Sequence, residues 1–222
     1  MTNDMPRRHL RKAVANAWLT AALLMVMPAF GTDMAPPDVK ISAVLDGGGV
    51  RTADVTQQRG GAVVETIWLK GDHVRVDFDG GPRLRGRILR NGAHAWLLQP
   101  GVDRVLPADH VTLGSLTRLD PQKPCWNLGF TCERVDDRLI AGRRASGWHY
   151  SHAGHAGPNG TDSGVFWIDA QNGVLLAFDA RDTGRRDYRM DTVTIDFTDL
   201  PNTTFEPPQG MRTALEAVSS PP

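Results

Sequence analysis

The chain has 222 residues with 25 basic and 25 acidic side chains, so its formal net charge is zero. This length is enough for one domain with a buried core, and the neutral balance lacks the basic excess of a general nucleic-acid binder. We therefore expect no nucleic acid among its partners.

The first 31 residues have the organisation of a secretory signal peptide. Four basic side chains near the start precede an apolar run, AVANAWLTAALLMVM, which Pro28 ends, and small residues follow. This order is typical of a cleaved export signal, and the run is shorter than the roughly 20 residues of a spanning helix. Cleavage would leave 21 basic and 24 acidic side chains. We expect a periplasmic protein with no transmembrane span in its mature form.

The rest of the chain divides into a linker, one domain and a tail. We assign the linker to residues 32–38, the domain to 39–212 and the tail to 213–222. Low-complexity composition, GTDMAPPD before the domain and SSPP after it, occurs only at these two ends.

Most of the domain has the pattern of short strands joined by turns. In VVETIWLKGDHVRVDF, two β-rich runs flank Gly71-Asp72, which predicts a hairpin. The segments RNG and QPGVD predict further turns, GVFWIDAQNGVLLAFDA predicts a second hairpin, and YRMDTVTIDF predicts a late strand.

A third strand, RLRGRIL, follows the first hairpin after the turn DGGP. Matching the apolar faces sets Val76 opposite Gly86, and so Asp77 opposite Arg85 as a cross-strand ion pair. The polar face carries a row of arginines, namely Arg75, Arg83, Arg85 and Arg87. Such a row can receive an anionic head group, but a solvated sheet face is the more common role and is our interpretation.

One segment, ADHVTLGSLTRL, has helical spacing. Asp109 stands at its start, and its apolar side chains are Val111, Leu113, Leu116 and Leu119. The predicted fold class is therefore mainly β (α+β), a curled antiparallel sheet or incomplete β-barrel with one or two covering helices.

Because so little helix is available to cover the sheet, we expect its concave face to stay partly open as a ligand pocket. The apolar alternations of the two main hairpins supply the candidate lining residues. These are Val74, Val76, Phe78, Leu84, Ile88, Phe166, Ile168, Leu175 and Phe178. A packed core on the same face is the alternative.

The chain contains two cysteines, Cys125 and Cys132, with six residues between them. A CxxC redox or zinc motif would have two residues between the sulfurs, and no further cysteine is present to complete a metal site. In an oxidising compartment, two cysteines that bracket a short loop usually pair. We predict a disulfide bond.

The order of several segments resembles that of a known exported family. The segments are WLKGDHVRVDF, NGAHAWLLQPG, PC…CERV…IAGRRASGWHY, VFWIDAQNGVLLAF and FEPPQGM. Together, over residues 39–212, they resemble the domains related to the lipoprotein carriers LolA and LolB, and most of all an uncharacterised branch with a cysteine pair. The resemblance implies an incomplete β-barrel, helices that close its mouth and a hydrophobic cavity for acyl chains. It also implies a binding protein and not a catalyst.

Three histidines at three-residue spacing, His149, His152 and His155, are weak metal candidates. Imidazoles suit zinc or copper, and Asp162 is close in sequence. Glycines throughout this segment favour a polar loop, where such spacing fixes no common face. We therefore favour no metal site here.

No catalytic set is visible in the sequence. The DGGG segment lacks the Lys-Ser/Thr of a phosphate loop, and Ser163 lacks a GxSxG context. Asp136 and Asp137 are adjacent, so on a strand they would lie on opposite faces. We predict a protein that is not an enzyme and needs no cofactor. Its expected partner is a hydrophobic or amphiphilic small molecule or lipid. The alternative is an envelope-sensing or interaction module that binds an envelope protein. Metal binding by the histidine loop is the third hypothesis.

Overall fold

The computed structural model describes most of the chain from Ala35 to Pro208. The described residues are 35–50, 61–82, 84–92, 94–101, 105–108 and 117–208. The predicted signal peptide, residues 1–31, and the predicted tail, residues 213–222, lie outside them. Within these ranges no helix has the length and apolar character needed to cross a membrane.

In the described residues, eleven strands form one antiparallel sheet. They are β1 (Val39–Gly47), β2 (Gly61–Lys70), β3 (His73–Asp79), β4 (Arg85–Asn91), β5 (His94–Leu98), β6 (Val105–Pro107), β7 (Cys132–Ile140), β8 (Arg143–Tyr150), β9 (Ser163–Asp169), β10 (Leu175–Arg181) and β11 (Asp187–Phe197). Their order is β6-β5-β4-β3-β2-β1-β11-β10-β9-β8-β7, so β6 and β7 are the two edges and the sheet is not closed. Two short 3-10 turns, Pro158–Gly160 and Asn202–Phe205, accompany it. The predicted class, a curled antiparallel sheet, is confirmed.

The predicted hairpins are present. Lys70 pairs with His73 across a two-residue turn in which Gly71 has a φ of 55°. Glycine adopts this conformation without the steric cost that other residues meet. The second hairpin joins β9 to β10, and Gly173 has a φ of 67° in its turn. The segment YRMDTVTIDF forms most of β11, as predicted.

The predicted pairing of β3 with β4 is wrong by two residues. Val76 pairs with Ile88 instead of Gly86, and Asp77 pairs with Arg87 instead of Arg85. The turn is longer than the alternation suggested, because the Gly80 amide donates to the Leu84 carbonyl oxygen and five residues separate the strands. A slip of two leaves every side chain on its predicted face, since faces alternate with a period of two.

The predicted helix falls mainly outside the described residues. Residues 109–116 are among those not described. The end of the segment is described and is not helical, because Arg118 forms an isolated antiparallel bridge with Val174. For these last residues the helical prediction is wrong, since sheet pairing overrides their helical spacing.

One face of the sheet carries the main core. The direct cross-strand pairs Phe166–Phe178, Phe178–Met190, Met190–Leu45 and Leu45–Val63 place side chains from five strands on this face. We call it the concave face. At the β8–β9 end it is covered by the disulfide loop, whose Phe130 ring lies 5.5 Å from Tyr150, which lies 5.7 Å from Phe166.

Candidate ligand-binding site

The concave face contains a cavity of about 50 Å³ where β1, β2, β3, β10 and β11 meet. Its lining residues are Ile41, Leu45, Glu65, Ile67, Val76, Thr117, Asn159, Leu175, Phe178 and Met190. This volume is the space open to the centre of a water-sized sphere. One water molecule needs about 10–15 Å³ of it, so a few water-sized groups fit. The space can therefore admit a small polar group or a few methylene groups, whereas a whole acyl chain has to continue outside it.

Among the described residues that line the cavity, Glu65 is the one ionisable side chain. In β2 the side chains that alternate toward this face are Val63, Glu65, Ile67 and Leu69, and all except Glu65 are buried. Glu65 is half-buried, and its cross-strand neighbours are Ala43 and Phe78. Among the described residues it has no hydrogen-bond or ion-pair partner. Burial away from water raises its pKa from 4.5 to about 7.

Three of the predicted pocket residues line this cavity. Val76, Leu175 and Phe178 contribute apolar side chains from β3 and β10. Each is buried, with exposed fractions between 3% and 6%. Their inner surfaces contact the rest of the core, so they are at once core residues and cavity wall.

The other predicted pocket residues lie elsewhere. Phe166 and Ile168 are completely buried in the packed core, and the disulfide loop covers Phe166 by way of Tyr150. Ile88 is buried at β4, and Val74 is half-buried against the core. None of these four is among the residues that line the cavity.

Phe78 and Leu84 are associated with the turn between β3 and β4. The Phe78 ring reaches over Gly86, where a β-carbon would lie 2.7 Å from the ring. Phe78 lines a separate surface groove together with Arg85, Arg87 and Leu98. Leu84 packs beside Gly80 and Val63.

The arginine row engages carboxylates of the same sheet. Asp77 accepts hydrogen bonds from both Arg75 and Arg87, at 2.6–3.0 Å, and Arg85 pairs with Asp79 at 2.7 Å. Burial opposes ionisation of Asp77, but the bonds from the two arginines outweigh it and hold its pKa below 3.8. Arg83 is outside the described residues. The three described arginines of the row are thus paired within the sheet. Arg85 is exposed, whereas Arg75 and Arg87 are half-buried.

The three histidines are not gathered into a site. All three are exposed. The His152 Nδ1 lies 3.2 Å from the Ser151 hydroxyl, and the His155 Nδ1 lies 3.4 Å from the Gly160 carbonyl oxygen. In the part of the chain that the structure describes, no three His, Cys, Asp or Glu side chains are grouped so that they could hold a metal ion.

The predicted disulfide is confirmed. Cys125 and Cys132 are bonded, and their Cα atoms are 5.9 Å apart. The loop that they close carries Phe130 inward against Tyr150, while Trp126 is 74% exposed. The disulfide therefore fixes the loop that covers one end of the concave face.

No protein-family model matches the chain, and no curated protein matches it. Solved structures, in contrast, match most of the chain. An uncharacterized conserved protein from Thermus thermophilus is 10% identical, with a TM-score of 0.49, over 78% of this chain and 87% of that one. A LolA superfamily protein from Nitrosomonas europaea is 11% identical, with a TM-score of 0.39, over 78% of this chain and 92% of that one. The LolA superfamily is also the family that the order of segments resembles.

A third similar structure is the MucA/MucB complex of Pseudomonas aeruginosa. It is 12% identical, with a TM-score of 0.47, over 78% of this chain and 56% of that one. The chain therefore spans a little over half of that structure's matched chain.

Proposed function

We propose that this protein is an exported, non-enzymatic binding protein that takes a hydrophobic or amphiphilic ligand, such as a lipid, on its concave face. The observation that carries the proposal is the cavity between β1, β2, β3, β10 and β11. Seven of its ten described lining residues are apolar. Ligand sites are commonly concave and mostly apolar, with a few placed polar groups. The signal-like N-terminus and the Cys125–Cys132 disulfide support a periplasmic location.

The proposal can be tested by filling the cavity. Leu45 lines it and is half-buried, so Leu45→Trp should occupy the space without removing any polar partner. We expect the wild type to bind a fluorescent acyl probe and Leu45→Trp to bind it at least about tenfold more weakly. Val193→Trp is the matched control, because Val193 is 61% exposed on β11 and lies away from the cavity. Equal probe binding by all three proteins would contradict the proposal.

A second candidate function, binding of an envelope protein, is favoured by the β7 edge. In the described sheet β7 pairs with β8 alone. Leu139 on this strand is 78% exposed, and Trp126 of the disulfide loop is 74% exposed. An unpaired edge can add a strand from a partner, and exposed apolar side chains would supply its contacts. Co-purification of an envelope protein that Leu139→Asp abolishes, with acyl-probe binding absent, would favour this function over the first.

A further inference from the structure

Glu65 occupies a position where the sheet would be expected to carry an aliphatic side chain. Its strand neighbours on the concave face are Val63 and Ile67, and the residues directly opposite are Ala43 and Phe78. The other described residues that line the cavity are apolar apart from the neutral Thr117 and Asn159. A carboxylate in such surroundings is costly unless a hydrogen-bonded cation accompanies it.

No described residue supplies that cation. Arg75, Arg85 and Arg87 lie on the opposite face, where Arg75 and Arg87 bind Asp77, whereas Arg90, near the end of β4, donates to the Gly92 carbonyl oxygen. Burial is the one cause that raises the Glu65 pKa, and no described charged side chain lowers it. Glu65 is thus a carboxylate that the described part of the protein leaves without a partner, inside an apolar cavity.

We propose that the concave face takes a long-chain amphiphile whose protonated primary amine pairs with the Glu65 carboxylate. The inference rests on the proposed function and names the chemical class of its ligand. The amine fits the cavity of about 50 Å³, and the chain continues along the apolar side chains of the same face. The ion pair would form away from bulk water, where a charge-assisted hydrogen bond is stronger than a neutral one.

Other head groups match this cavity less well. A carboxylate would be repelled by ionised Glu65, and an alcohol can donate one hydrogen bond but brings no charge. A quaternary ammonium has the charge but no N–H donor. The Glu65 carboxylate therefore distinguishes a primary amine from amphiphiles that have the same chain.

Binding should depend on pH through Glu65. The described cavity side chains that surround it belong to β1, β2, β3, β10, β11 and two loops. None of these described side chains ionises: Ile41, Leu45, Ile67, Val76, Thr117, Asn159, Leu175, Phe178 and Met190. Its direct neighbours Ala43 and Phe78 do not ionise either. An alkylamine stays protonated from pH 5.5 to 8.5, whereas Glu65, whose pKa is about 7, ionises over this range. Amine affinity should therefore rise with pH.

The test is calorimetric titration of the mature protein with dodecylamine, butylamine, dodecanol and dodecanoate, each below its solubility limit and micelle concentration. At pH 8 we expect dodecylamine to bind at least about tenfold more tightly than dodecanol. Glu65→Gln keeps the shape of the side chain and should abolish this preference while dodecanol binding persists. Glu133→Gln is the matched control, because Glu133 is exposed on β7 and should leave all affinities unchanged.

The outcomes distinguish a failure of this inference from a failure of the proposed binding function. If dodecanol and dodecanoate bind as tightly as dodecylamine, or if Glu65→Gln keeps the preference for the amine, the inference is overturned and the binding function stands. If butylamine binds as tightly as dodecylamine, the amine is recognised without its chain and the amphiphile class is overturned. If no long-chain compound binds the wild type, both proposals fall.

Discussion

Replacing Glu65 by glutamine should stabilise the ligand-free protein at neutral and alkaline pH. The change removes a charge that the apolar cavity disfavours and keeps the size of the side chain. A pKa that moves from 4.5 in the unfolded chain to about 7 in the fold corresponds to about 3 kcal/mol, at about 1.4 kcal/mol for each pH unit.

The sign of the pH dependence follows from proton binding. Between pH 4.5 and 7 the folded protein holds a proton on Glu65 that the unfolded chain has released, so wild-type stability falls as the pH rises through this window. The stability of the Glu65→Gln variant does not fall in this way, because its glutamine does not ionise. The two proteins should have equal stability at pH 4.5, and the variant should be more stable by about 3 kcal/mol at pH 8.

The assay is urea unfolding of both proteins at pH 4.5, 6, 7 and 8, with delipidated samples. The difference between their unfolding free energies isolates Glu65, because all other titrating groups are common to both. Glu133→Gln, at an exposed position, should show no such trend. A variant that is no more stable than the wild type at pH 8 would refute the argument that Glu65 is an uncompensated carboxylate.

Three further predictions concern the scaffold. Cys125→Ser should lower the unfolding free energy by about 2 kcal/mol, because the disulfide no longer restrains the unfolded chain, and unreduced wild type should show no free thiol on labelling. Phe166→Ala, in the packed core, should lower the unfolding free energy measured in urea by about 3–5 kcal/mol. Phe178→Ala should lower it less and should change the affinity for the acyl probe. Equal losses of unfolding free energy would contradict a cavity at Phe178. Asp169 is buried and accepts hydrogen bonds from Arg143, so Asp169→Ala should cost on the order of 2–3 kcal/mol at pH 7. That cost should shrink as the pH falls below 3.8, because the hydrogen bonds hold the wild-type pKa below this value against the effect of burial; a loss that does not change with pH would contradict it.

Local patterns were enough to predict the hairpins and the faces of their strands. Gly71 defines a two-residue turn by its chemistry, and the alternation in HVRVDF follows from the period of a strand. The pairing register of β3 with β4 could not be derived in this way. A register shifted by two has the same alternation, and the choice depends on the hydrogen bond between Gly80 and Leu84, which closes a longer turn.

The site was only partly predictable for a related reason. Phe166 and Phe178 belong to the same kind of apolar alternation, yet the first is packed under the disulfide loop and the second lines the cavity. Loop coverage is a tertiary property that strand patterns do not contain. Glu65 was missed, although VVETIWLK places it in the alternation of Val63 and Ile67. A charged residue at an inward position of an apolar strand was the available signal.

The central claim, that the concave face holds an amphiphile, is tested most directly by native mass spectrometry of the protein purified from the periplasm. The wild type should retain a small apolar or amphiphilic molecule, visible as added mass that organic solvent removes. Leu45→Trp, purified in the same way, should be free of it. A wild-type protein that carries no such mass, or an adduct of equal abundance on Leu45→Trp, would contradict the account.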